Sequence, residues 1–494
     1  MDKHIKYLLS YLLIFSSLLC VAQQNKVDSL VSVIKTLNAP ASLEFKPTIK
    51  GAKIEIKSDT TLINTLNALA LELMYNNPDT AIVLSTQALN ISISLFKAQE
   101  IGAPLEKFRN ESIAKSYNYL GGFTWLKGDY FISLDYYFKA LKIRDSLKDK
   151  RGISEILGHI GLVYNDQGNF SQALDYYFKA LYIAQELGDQ QLQANNFGNI
   201  GNTYRLQGIY PKALDYYFKT LKIVERLGNK NAIARNIGNI GNVYEEQKDY
   251  PKALDYYFKA LKIDKELNNK NGIARHLSNI GVIYCNESDN FKALDYFFKS
   301  LKINEELGNK NGISNVLCNI GGAFQKQASL AKSQQNIFKS DSLSKEALDY
   351  TFKALKIAEE LRNKNEIANA LGRIGVLYAT IKKYTQAEKY FQKALALSTE
   401  INALSSIKDH QQYLSQLYEE IHQPTKALEH YKKYIAAKDS LFNEENTKKT
   451  VRSEMNFEFE KKQTVEKAEQ EKQNTIAQQE KQKQRIILVL VSCY

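Results

Sequence analysis

One octapeptide recurs at a fixed distance and decides what this chain can fold into. Leu-Asp-Tyr-Tyr-Phe-Lys-Ala-Leu begins at Leu134, Leu174, Leu214 (with Thr220 in place of its alanine) and Leu254, and near-copies begin at Leu294 and Leu348. The starts lie 40 residues apart four times and then 54, one period plus 14 residues, with the surplus in the polar stretch from Ala328 to Ser344. Ala387 and Ala427 continue the period in the place held by Ala173, Ala213, Ala253, Ala293 and Ala347. The period therefore survives the insert. A unit this small cannot bury a core alone, so the copies must stack on one another.

Each unit carries two amphipathic helical patterns. Around residue 240, Ile237, Ile240, Gly241 and Tyr244 share one face of a first helix, and Leu254, Tyr257, Phe258 and Leu261 share a face of a second. Pro211 and Pro251 sit at the opening of the second helix, where a missing N–H costs nothing. Gly228-Asn229, Asn268-Asn269 and Gly308-Asn309 supply the stop and turn before the next unit. Composition agrees with an all-α chain: 7 prolines in 494 residues, and 44% hydrophobic residues, which excludes disorder of the whole. The excess of 66 Lys plus Arg over 54 Asp plus Glu is small for this length.

The register Ile237, Ile240, Gly241, Tyr244, Ala253, Tyr257 and Ala260 resembles the signature of the tetratricopeptide repeats. It fits again at Leu157, Ile160, Gly161, Tyr164, Ala173, Tyr177 and Ala180, from Phe197 to Tyr217, and at Leu371, Ile374, Gly375, Tyr378, Ala387, Phe391 and Ala394. The resemblance covers residues 112–440, with a looser unit from Leu62 to Leu95. Two features depart from it: the period is 40 rather than the family's usual 34, and the closing proline is absent. The extra residues are expected at the Leu-Gly-Asn-Lys-Asn turn. The resemblance implies a right-handed superhelical solenoid of antiparallel hairpins, about nine units over residues 61–440.

A solenoid of this kind presents a concave groove lined by its first helices. Opposite the packing face of the unit at 240 lie Arg235, Asn239, Asn242 and Glu246; the equivalents elsewhere are Asn195, Asn199 and Asn202, then Arg275, Asn279 and Asn286. Glu155, His159 and Asp166 hold this wall in an earlier unit, and Asn315 and Asn319 in a later one. Amides and guanidinium groups here suit the main chain of an extended peptide, or a carboxylate through arginine. Asn199, Asn239, Asn279 and Asn319 also fit a structural ladder in which each bonds to its neighbour's helix, and the spacing leaves both roles open. The lysine and asparagine clamp of chaperone-binding family members is not visible.

Other chemistry finds no support. His159, His276, His410, His422 and His430 lack an i, i+4 pair or a nearby cysteine, so solvated surface is expected rather than a metal site. Among the 4 cysteines there is no C-x-x-C pair. The Tyr-Tyr-Phe clusters with their lysines could stack on bases, but helical spacing marks them as core packing, and no nucleic-acid partner is expected. Gly-rich phosphate loops and nucleophile elbows are missing from the sequence, so neither an enzyme nor a cofactor is expected.

The ends bear on location. Residues 1–22 have the basic start, apolar run and cleavage point (Cys20-Val21-Ala22) of a secretory signal, followed by a lead-in at 23–60. Residues 441–485 read as a long charged helix or weak coiled coil that could pair with a second copy. Ile486 opens an apolar run to Tyr494, expected as the incomplete start of a transmembrane segment or a membrane contact. Together these features resemble the outer half of bacterial membrane sensors common among Bacteroidetes, in which a histidine kinase, nucleotide cyclase or DNA-binding regulator follows the span. The expected function is an exported, membrane-tethered module at the periplasmic face of the inner membrane that binds a protein or peptide in signalling. The alternative is the truncated input half of a kinase or cyclase.

Overall fold

The computed structural model describes residues 52–75, 77–94 and 103–442, and a discontinuous set between 449 and 479. The expected signal at 1–22, the lead-in up to residue 51 and the apolar end at 486–494 lie outside the described residues. All regular structure within them is helical, and it is a stack of nine hairpins. The first three hairpins are α1–α2 (Ala52–Leu73, Pro78–Ser94), α3–α4 (Ala103–Leu126, Tyr130–Ser146) and α5–α6 (Lys150–Asp166, Phe170–Glu186). Next come α7–α8 (Gln190–Leu206, Tyr210–Arg226), α9–α10 (Lys230–Glu246, Tyr250–Glu266) and α11–α12 (Lys270–Asn286, Asn290–Glu306). The last three are α13–α14 (Lys310–Ser333, Ile337–Glu360), α15–α16 (Lys364–Thr380, Tyr384–Glu400) and α17–α18 (Leu404–Glu420, Pro424–Phe442). Among the described residues the first helix runs from Ala52, across the position where the array was expected to open at 61.

The 40-residue period is two identical halves. From α4 to α12 every helix has 17 residues, and three residues separate it from the next. The longer period is therefore spent on helix, with Lys230 and Asn231 already inside α9. Each turn works the same way. Its middle residue adopts positive φ, as at Gly208 (72°) or Lys248 (62°), and the next N–H reaches back to close the helix, as from Asn169 to the Tyr164 carbonyl at 2.8 Å. In most turns the third residue is an Asp or Asn whose side chain caps the following helix, as where Asp149 accepts from the Gly152 N–H at 2.9 Å, while Ile209, Lys383 and Ala403 offer no such cap. Such a cap contributes about 1 kcal/mol. Pro211 and Pro251 open α8 and α10 as expected.

Within a hairpin the two helices meet where glycine faces an aromatic ring. A Cβ on Gly241 would lie 2.7 Å from Tyr257 Cε1, and Gly161 stands in the same relation to Tyr177 at 2.6 Å. Tyr177, Tyr217 and Tyr257 are fully buried. The core-packing reading of Tyr-Tyr-Phe holds in every copy for the second position, and for the other two only where Tyr216 and Phe178 are buried. The first, as Tyr256, stacks on Tyr244 with ring centroids 5.4 Å apart, and the phenylalanine, as Phe258, remains 41% exposed.

The 14 surplus residues are helical. α13 and α14 have 24 residues each, 7 more than their counterparts, so each gains about two turns and returns in phase. The lengthened hairpin carries Leu330, Ile337 and Phe338 exposed near its tip.

The array winds far enough for later units to rest on earlier ones. The Lys364 N–H donates to the Lys127 carbonyl at 3.0 Å, and its ammonium lies 2.6 Å from Asp129 Oδ1. The same contact recurs one unit on, where the Leu404 N–H donates to the Gln167 carbonyl at 3.2 Å. Ile401 and Ala403 join Tyr130, Tyr137 and Ile160 in one apolar cluster. Among the described residues no helix is long and apolar enough to cross a membrane.

Candidate functional site

The first helices present their polar faces to a groove, and one cavity of about 340 Å³ opens on α5, α7 and α9. Its walls include Glu155 and His159 from α5, Asn195, Asn199 and Asn202 from α7, and Arg235 and Asn239 from α9. Asn195 and Arg235 are exposed, and Asn199 and Asn239 are half-buried. The helical register puts these groups on one face because they are spaced by three, four or seven residues. Seven of the residues expected on this wall therefore share one cavity.

Several expected wall residues are engaged with other side chains. Asn242 Oδ1 lies 2.7 Å from the Tyr257 hydroxyl and takes a 3.3 Å bond from the Asn279 amide. Glu246 is ion-paired to Arg205 of the preceding unit. The Arg275 guanidinium lies 3.3 Å from His276 Nε2. Asn202 lines the cavity, but its Oδ1 accepts from the Tyr217 hydroxyl at 2.6 Å.

The two roles considered for the repeated asparagine divide along the array. Asn319 donates to Ser278 Oγ at 3.3 Å and Asn279 to Asn242, so both bond to the preceding first helix. Asn199 and Asn239 instead line the cavity, and no hydrogen bond joins their side chains among the described residues. Other unit-to-unit polar links lie one turn further along, at the helix ends. There Trp125 Nε1 donates to Asp166 at 2.8 Å, Thr203 to Asn165 at 2.9 Å and Lys326 to Asn286 at 3.1 Å. Burial raises the Asp166 carboxyl to about 6, opposed by the Trp125 bond.

A second cavity, of about 610 Å³, lies between α13, α15 and α17. Asn315 and Asn319 line it together with Gln325, Asn369, Arg373, Asp409 and Tyr413. Carried through the insert, the repeat register would have found two of these, since Asn369 and Arg373 stand where Arg235 and Asn239 stand in the unit at 240. Asp409 and Tyr413 belong to a degenerate copy with no glycine to mark it.

Two histidines correct the expectation of solvated surface, while His422 is exposed as expected. His276 is fully buried and His410 3% exposed. Both point into the neighbouring hairpin where Gly238 and Gly372 leave room, and His276 takes the place in its unit that Asn236 takes in the previous one. Burial lowers His410 to about 4, opposed in part by the Asp409 charge, and its Nδ1 lies 3.1 Å from Ser398 Oγ. Burial likewise lowers His159, 2.9 Å from Asn118 Oδ1, to about 4. A histidine whose folded pKa lies below its unfolded 6.5 binds fewer protons folded than unfolded, so stability falls as pH drops from 6.5 toward 4. At pH 5 His410 alone is expected to cost about 2 kcal/mol relative to pH 7, seen as a lower urea midpoint. His410→Gln should flatten that part of the profile.

Residues 112–186, 152–225, 190–266 and 366–440 match the tetratricopeptide repeat family. No curated protein matches the chain in sequence. Among solved structures the chain is similar to a Rap protein complexed with competence and sporulation factor, at 14% identity over 69% of this chain and 99% of that one, with a TM-score of 0.47. It is similar to aspartyl phosphate phosphatase F from Bacillus subtilis, at 14% identity over 81% and 96%, with a TM-score of 0.44. It is also similar to the apo form of the quorum sensor NprR from B. thuringiensis, at 16% identity over 78% and 99%, with a TM-score of 0.43.

Proposed function

Because the chain is a tetratricopeptide repeat protein, we propose that it is a binding module whose groove takes an extended segment of a peptide or protein. The observation that carries this reading is the cavity on α5, α7 and α9, where Asn195, Asn199, Arg235 and Asn239 converge. Side-chain amides offer both a donor and an acceptor, which matches the alternation of N–H and C=O along an extended main chain. Arg235 adds a fork for a carboxylate. Such a wall has no nucleophile set against a base, and we assign it no reaction.

The test is selection and loss. Random peptides panned on the intact protein are expected to yield binders that lose at least ~10-fold in affinity for an Arg235→Glu/Asn239→Ala variant, the size expected for breaking a charged contact and an amide pair. The variant should keep its far-ultraviolet circular dichroism, since both side chains face the cavity. Unchanged affinity would remove the groove from the proposal. Arg275→Glu serves as a control outside the cavity.

Export, membrane tethering and a role in signalling remain part of the proposal, on the sequence of residues 1–22 and 486–494. A mature N-terminus at Gln23 and recovery in the membrane fraction support that part, and retention of Met1 in the soluble fraction opposes it. The input half of a histidine kinase or cyclase is the second reading, favoured by the charged helix that leads into the apolar run, and continuation of the reading frame into such a domain would support it.

A further inference from the structure

The phenylalanine of the Tyr-Tyr-Phe motif is the part of the repeat that the core does not absorb. Phe138, Phe218, Phe258 and Phe298 are 40%, 46%, 41% and 40% exposed on the second helices. Phe178, the same residue of the same motif, is 3% exposed. The difference is Phe457, from the charged segment after the array. Its ring stacks on Phe178 with centroids 5.2 Å apart, and it is 5% exposed within the cluster of Leu174, Leu181, Tyr204 and Tyr216. Three residues earlier, one helical turn away, Glu454 pairs with Lys212 and accepts from the Tyr216 hydroxyl at 3.3 Å. A segment expected to be a solvated or self-pairing helix therefore carries an acid and an aromatic that both land on the array.

The repeat offers nearly the same surface at neighbouring units, so the choice of this one needs a cause. Lys252 and Lys292 stand where Lys212 stands and lie over Tyr244 and Tyr284 at 5.2 Å each, as Lys212 lies over Tyr204 at 5.1 Å. Their ammonium groups, however, are bound by the capping residues of their own helices: Lys252 to Asp249 at 2.7 Å and Lys292 to Asp289 at 2.9 Å. In the unit of Lys212 the capping position is Ile209, which has no carboxylate to give. In the unit before it, Gln172 replaces the lysine altogether. Only the unit at 212, among these four, combines the aromatic wall with a lysine its own turn leaves uncommitted.

We propose that the surface formed by Phe178, Tyr204, Lys212 and Tyr216 is a dedicated docking site for the Glu454–Phe457 turn of the chain's own C-terminal segment, selected among the repeats by isoleucine at position 209. The site holds the Glu454–Phe457 turn against α6, α7 and α8. Its partner chemistry is an acidic side chain one turn ahead of an aromatic.

Hydrogen exchange of the full-length chain, followed by mass spectrometry over residues 449–459, tests the proposal. Lys212→Glu and Phe457→Ala should each speed exchange there by at least ~10-fold, because a short solvated helix opens readily without its contacts. Ile209→Asp should speed it several-fold by recruiting Lys212 to the turn, and it restores the cap that most other units carry, so the array keeps its fold. Lys212→Glu combined with Glu454→Lys should recover the slow exchange. Equal exchange in Ile209→Asp and the unaltered chain, or failure of the charge swap to rescue, would overturn the proposal. Protection that grows with protein concentration would place the segment on a second copy and overturn it as well.

Discussion

Replacing Tyr257 with alanine is expected to cost the array about 3–5 kcal/mol, measured as a fall in the urea midpoint. The ring is fully buried between α9 and α10 and packs in one cluster with Ile280 and Ile283 of the next unit. The hydroxyl's hydrogen bonds would be lost too. Asn242 and Glu245 lie 2.7 and 2.6 Å from that hydroxyl, and burial already raises the Glu245 carboxyl. Tyr257→Phe isolates the polar part, at about 1–2 kcal/mol. Phe258→Ala, one residue on and 41% exposed, should cost well under half of the Tyr257→Ala value. Equal losses at 257 and 258 would mean that the register of the second helix is wrong.

The second large effect comes from the facing glycine. Gly241→Ala places a methyl 2.7 Å from the Tyr257 ring, closer than carbon atoms approach without strain, and should cost about 1–3 kcal/mol. The two predictions are coupled. In a Tyr257→Ala background the added methyl enters vacated space, so the Gly241→Ala penalty should vanish and the double-mutant cycle should show a coupling of similar size. Additive losses would mean that glycine is required for some reason other than the close approach of the two helices.

The hairpin stack was legible because its cause is local and repeated. Ile240, Gly241 and Tyr257 stand in a register that any unit reproduces, and the same register placed Asn195, Asn199, Arg235 and Asn239 on one wall. Asn242, Glu246, Arg275 and Asn279 lie outside the first cavity, which the sequence could not show because the helical wheel gives direction and not neighbours. Glu246 faces the groove side but is reached by Arg205, 41 residues earlier, and Asn242 is taken by Tyr257. The contact of Lys364 with Asp129 spans 235 residues and depends on the accumulated twist of the intervening units, which no single repeat encodes. The insert could be counted but not shaped, since 14 polar residues fit a loop as readily as two pairs of helical turns. Phe457 looked like one sparse apolar residue in a charged helix, and only the odd burial of Phe178 shows what it meets.

The central claim is that ligand enters from the first-helix side. A benzophenone side chain introduced at position 195, on the cavity wall, or at position 219, on the second-helix face, separates the alternatives when a panned peptide is bound and the sample is irradiated. Cross-linking from position 195 and none from position 219 is the predicted result; capture from 219 with none from 195 would contradict the account.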